Sequence, residues 1–67
     1  MTRARLLEKL AAEVERWNQR HPIGTPVNFG GFGRTTTGTP AFIHEGRSCV
    51  WLSSPVVVAD LAEVWPC

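Results

Sequence analysis

The side chains best suited to chemistry in this chain are His21, His44, Cys49 and Cys67, together with a glycine-flanked run, Gly33-Arg34-Thr35-Thr36-Thr37-Gly38-Thr39. His44 and Cys49 lie five apart across an expected hairpin, the minimum arrangement for a thiolate activated by an imidazole. No third group is placed to orient the histidine and no oxyanion site is evident, so the pair reads as an edge-strand histidine and a buried structural cysteine. Zinc sites use close ligand pairs such as C-x-x-C or H-x-x-x-H, and these four residues offer neither. The threonine run has the two glycines and terminal threonine of a phosphate-binding loop. It lacks the lysine before that threonine, and Pro40 follows where a helix should begin. Glu8, Glu13, Glu15, Glu45, Asp60 and Glu63 include no apolar-flanked pair suited to general acid and base work. The expectation is therefore a non-enzymatic protein with no catalytic residues, no cofactor and no metal.

What remains is contact. Three tryptophans in 67 residues are dense, and buried tryptophan carries much of the energy of cores and interfaces alike. Trp17 is expected in the core, while Trp51, Trp65 and the loop-tip Phe32 are candidate anchors for a protein partner. Glu45, Asp60 and Glu63 are candidates for a local acidic patch that mimics nucleic-acid phosphates and occupies a basic groove on that partner. The alternative is a nucleic-acid binder. Arg5, Lys9, Arg16 and Arg20 fall within about 60° on a helical wheel, and Arg34 and Arg47 would add to that basic surface. Glu13 interrupts the stripe, with Glu8 and Glu15 at its flanks, which favours the protein-binding reading.

These residues need a scaffold. Leu6, Leu7, Leu10, Ala11, Val14 and Trp17 recur at spacings of three and four, which predicts an amphipathic helix over 2–21. Thr2 caps its start, and Pro22 with Gly24 ends it. From Thr25 the period changes to two and β-branched residues alternate with turn formers, predicting antiparallel strands over 25–66. Val27 and Phe29 lie on a first strand that breaks at Gly30-Gly31-Phe32-Gly33. Arg34–Thr37 is read as a second run, interrupted at Gly38 and Pro40 and continued by Ala41–His44. Glu45-Gly46-Arg47 is a hairpin turn, Ser48–Ser53 the returning strand, and Val56–Val58 a further one. Ala59-Asp60-Leu61 forms a helical turn before a last strand at Glu63–Trp65. Cys49-Val50-Trp51-Leu52 and Val56-Val57-Val58 are apolar at consecutive positions, so both faces of these strands are expected to be covered, one by the helix and the other by closure of the strands.

The chain is long enough for one domain with a thin core. Its composition, 43% hydrophobic and 19% charged, is that of a folded chain. Net charge is +1, which argues against the broad basic footprint of a general nucleic-acid binder. The balance is uneven: residues 1–20 carry five basic and three acidic side chains, residues 21–67 two basic and three acidic. No run reaches the roughly 18 apolar residues of a membrane span, and early charges leave no signal peptide, so a cytoplasmic protein is expected. Two cysteines make no disulfide framework and are read as free thiols, a Cys49–Cys67 bridge staying possible because Cys67 can swing.

Residues from about Ile23 to Pro66 resemble the small SH3-like barrels of short phage and bacterial proteins. The matching pieces are Ile23-Gly24-Thr25-Pro26-Val27 entering the first strand, the threonine-rich Arg34–Thr39, the hairpin at Gly46, and Val58-Ala59-Asp60-Leu61-Ala62-Glu63-Val64 with a short helical turn before the last strand. The resemblance implies an α+β domain, a helix packed on a small antiparallel SH3-like β-barrel or sheet. In size and overall form the chain looks like an accessory protein of a phage or mobile element, such as an anti-CRISPR inhibitor of a host defence nucleoprotein complex, and a monomer or small homo-oligomer is expected. SH3 domains that grip proline-rich peptides use tyrosine-rich grooves, and this chain has no tyrosine.

Overall fold

The computed structural model describes residues 2–66, so Cys67, and with it the bridge to Cys49, lies outside the described residues. Helix α1 (Arg3–Arg20) begins as its cap dictates, with the Arg5 N–H donating to the Thr2 hydroxyl oxygen at 3.3 Å. Arg20 occupies the last turn, where a cation suits the helix dipole. After Pro22 come β1 (Pro26–Phe29), a 3₁₀ turn (Gly30–Phe32), β2 (Gly33–Thr36), β3 (Phe42–His44), β4 (Arg47–Trp51), β5 (Val58–Asp60), a second 3₁₀ turn (Leu61–Glu63) and β6 (Val64–Pro66).

The strands form two antiparallel three-stranded sheets, β2-β1-β6 and β3-β4-β5. The α+β class is as expected, but no closed barrel forms among the described residues. Five of the six strands have three or four residues, and among the described residues Thr37 faces Leu52 in a single antiparallel bridge between the sheets. That seam is tight: the Gly38 N–H donates to the Trp51 carbonyl at 2.7 Å and the Ser53 N–H to the Thr36 carbonyl at 3.0 Å. Arg34–Thr37 and Ala41–His44 are accordingly not one interrupted strand. They belong to different sheets, because Thr37 turns to Leu52 and the Gly38–Pro40 segment carries the chain across.

Other boundaries shift for local reasons. Asp60 ends β5 and caps the second 3₁₀ turn, its carboxylate accepting the Ala62 N–H at 3.0 Å, so the helical turn falls at Leu61–Glu63 and not at Ala59–Leu61. The last strand moves with it to Val64–Pro66. Of the three valines, only Val58 is in a strand, and Val56 is exposed. The hairpin falls where expected but its turn is shorter, with Glu45 (φ 51°) and Gly46 (φ 75°) as its two residues and Arg47 already in β4, paired with His44. Two positive φ values are what a two-residue turn needs to match strand twist.

Val27 and Phe29 from β1, Val50 and Leu52 from β4 and its extension, and Ala41, Ala59, Leu61 and Val64 make one core, with Val14 and Trp17 of α1 packed against it. The helix lies on β3 and β4, and polar tethers fix it as much as apolar ones. The Asn18 side chain brackets the Ala41 backbone, accepting from its N–H at 2.7 Å and donating to its carbonyl at 3.2 Å. Ser48 donates to Glu13 at 3.0 Å. Glu13 is thus drawn toward the sheet and does not interrupt the basic stripe. An 18-residue helix is about 27 Å long, longer than three-residue strands can cover. Its first turns therefore overhang, leaving Leu6 and Leu7 each 42% exposed.

Replacing Asn18 by Ala removes both bonds to the buried Ala41 backbone, so Asn18→Ala should lower unfolding free energy by about 1–3 kcal/mol. Urea titration checks this, and a change near zero would mean that water replaces the amide at no cost.

Candidate functional site

Register decides which side chains share a face. Ser48, Val50, Ala59 and Ile43 point to the inner side of the second sheet, toward the helix and core. Cys49, Trp51, Phe42, His44, Arg47, Val58 and Asp60 take the outer side by alternation. The sequence separates Trp51 correctly from Val50 and Leu52. The expectation that both faces are covered is not met: the helix occupies the inner face, no strand closes over the outer one, and Trp51 and its cross-strand partner Val58 remain 39% and 37% exposed.

Beside that pair an open depression of about 560 Å³ is lined by His44, Glu45, Arg47, Cys49, Val58, Asp60 and Glu63. The three carboxylates singled out from the sequence therefore converge, brought from the hairpin turn, the end of β5 and the second 3₁₀ turn. Three carboxylates against the single guanidinium of Arg47 make the depression acidic. The Arg47 guanidinium lies 4.0 Å from Asp60, and His44 stands 4.0 Å from Glu45. The first pair is exposed at its arginine end and the second at both ends, so both are worth little as stability. Glu45 holds its carboxylate on the rim from a left-handed backbone that only glycine and asparagine adopt readily.

Cys49 forms the buried floor. Burial pushes its thiol above the ordinary value, the Asp60 carboxylate adds to the rise, and Arg47 opposes it. Its sulfur donates to the Arg47 carbonyl at 3.7 Å and not to His44. His44 and Cys49 thus share a depression, yet the thiol is held in its unreactive form with no base in contact. Among the described residues no group of three or more His, Cys, Asp and Glu could hold a metal ion.

The remaining candidates lie elsewhere. Trp65, 56% exposed, is on the outer face of the first sheet opposite Asn28, which also pairs with Arg34. Phe32 is 70% exposed but stacks on Phe29 with ring centroids 5.2 Å apart, a partner that the glycine-rich loop did not suggest. Arg5, Lys9, Arg16 and Arg20 are all exposed on α1, away from Arg34 and from Arg47, which is engaged with Asp60. Trp17 is half-buried, and its indole N–H has no partner. Among the described residues no helix is long and apolar enough to cross a membrane. Comparison with protein-family models, curated proteins and solved structures finds no match.

A strained Glu45 predicts a measurable trade. Glu45→Asn, which supplies the preferred Asn-Gly turn, should raise stability by up to about 1 kcal/mol in urea titration. No gain would show that the turn holds glutamate without strain.

Proposed function

We propose that this chain is a non-enzymatic protein-binding module that recognises its partner through the outer face of the second sheet. The observation that carries this reading is the uncovered Trp51–Val58 pair beside an acidic depression. Exposed tryptophan supplies a large, rigid contact area, and anchors of this type dominate binding energy when a partner buries them. Glu45, Asp60 and Glu63 supply the electrostatic half. Carboxylates set around an aromatic anchor complement a basic surface, steer its approach and disfavour acidic competitors.

The partner of that description is a protein whose basic groove holds nucleic acid, and occupying the groove would exclude the nucleic acid. A host defence complex that grips DNA or RNA is such a partner, and an inhibitor of the anti-CRISPR kind would act in this way. Two features support binding over catalysis: the Cys49 thiol is raised away from its reactive form, and Glu45 keeps a carboxylate on the rim at the expense of turn geometry.

Capture from bacterial lysate with the immobilised wild-type chain, Trp51→Ala and Trp65→Ala tests the proposal. The wild type should retain a stoichiometric nucleic-acid-binding protein, and Trp51→Ala should weaken its binding by roughly 30-fold, the equivalent of about 2 kcal/mol. Equal retention by Trp51→Ala, or no stoichiometric protein, would overturn it.

A further inference from the structure

We propose that the outer face of the first sheet is a second, separate site that binds single-stranded nucleic acid, with Trp65 stacking on a base, Asn28 hydrogen-bonding a base edge and Arg34 meeting phosphate. Asn28 on β1 stands directly opposite Arg34 on β2 and Trp65 on β6, so the three side chains form one row across the sheet. All three are exposed, while their sequence neighbours Val27, Phe29 and Val64 point into the core. With strands about 4.8 Å apart, the row places the indole and the guanidinium about 10 Å apart at their backbones. Aromatic ring, amide and cation in line are the groups that a base and its phosphate need.

Charge selects an anionic ligand. No acidic residue occurs between Pro22 and His44, and the ion pairs among the described residues, His44–Glu45 and Arg47–Asp60, both lie at the other sheet. Among the described residues no acidic side chain pairs with Arg34. Arg34 also lines a depression of about 500 Å³ with Pro26, Thr35, Thr36, Ser53 and Ser54, a lining that carries hydroxyl groups and no carboxylate. Such a lining suits phosphate oxygens, whereas a neutral ligand would leave the cation uncompensated. A single strand fits and a duplex does not, because stacking on Trp65 requires an unpaired base face and a flat sheet does not enter a groove. The acidic depression on the opposite sheet would repel the same ligand, which separates this site from the protein-binding face.

Fluorescence anisotropy of a labelled short oligothymidine, titrated with the full chain at low salt, tests the assignment. Binding should weaken with salt at a log–log slope of about −0.7, as for one neutralised phosphate. Trp65→Ala should weaken it about tenfold or more, and Trp65→Phe should restore most of the loss. Arg34→Ala should flatten the salt dependence, while Trp51→Ala and the helix variant Arg16→Glu/Arg20→Glu should bind as the wild type does. Absence of binding, binding indifferent to Trp65→Ala, loss in the helix variant alone, or equal competition by duplex would each overturn the proposal. Because Trp51→Ala leaves this site intact, failure here is distinguishable from failure of the protein-binding face.

Discussion

The two sheets meet at one buried threonine. Thr37 is almost fully enclosed, faces Leu52 across the seam between the sheets, and ties the linker after the helix to both. Its carbonyl accepts the Gly24 N–H at 2.8 Å, its N–H donates to the Thr25 carbonyl at 3.1 Å, and its hydroxyl oxygen accepts from the N–H groups of Gly24 and Thr25 at 3.1 and 3.2 Å. Strands of three to five residues cannot fix the angle between two sheets by their own ladders. Backbone bonds from Gly38 to Trp51 and from Ser53 to Thr36 cross the seam, and the buried Thr37 locks the linker beside it, since any other arrangement strands those groups away from water.

From that constraint the display of side chains follows. The inner faces meet in a small apolar core, the helix covers β3 and β4 through Val14, Trp17, Asn18 and Glu13, and no element remains to cover either outer face. Trp51 and Trp65 are consequently presented on two different sheets, one beside carboxylates and the other beside an unpaired arginine. A domain this small has only a few kcal/mol of stability to spare. Leaving two tryptophans out of its core is a cost to folding that recognition by a partner would explain.

Much of the architecture was legible. The stripe from Leu6 to Trp17, Thr2 before it and Pro22 after it fix the helix, and Glu45-Gly46 fixes the hairpin, because these signals are local. The features that were not legible depend on distant partners. Glu13 sits at the margin of the helical stripe, and only Ser48, 35 residues away, shows that it turns inward. Thr37 resembles its neighbours Thr35 and Thr36 until Leu52 is placed opposite it. The convergence of Glu45, Asp60 and Glu63 was nominated as an acidic patch, but its position beside Trp51 needs the β4–β5 register. The valine run misled because consecutive apolar residues imply a strand covered on both faces, and here only Val58 enters the strand, on a face left open.

The role given to Thr37 is tested most directly by exchanging it for Val, which keeps its shape and removes the hydroxyl. Gly24 and Thr25 retain backbone partners at Thr37 and Pro22, so Thr37→Val should lower the unfolding free energy in urea by about 1–2 kcal/mol. That is a large share of the roughly 3–5 kcal/mol expected of so small a core. A variant as stable as the wild type would contradict the account, showing that the hydroxyl adds nothing to the seam's backbone bonds and apolar packing.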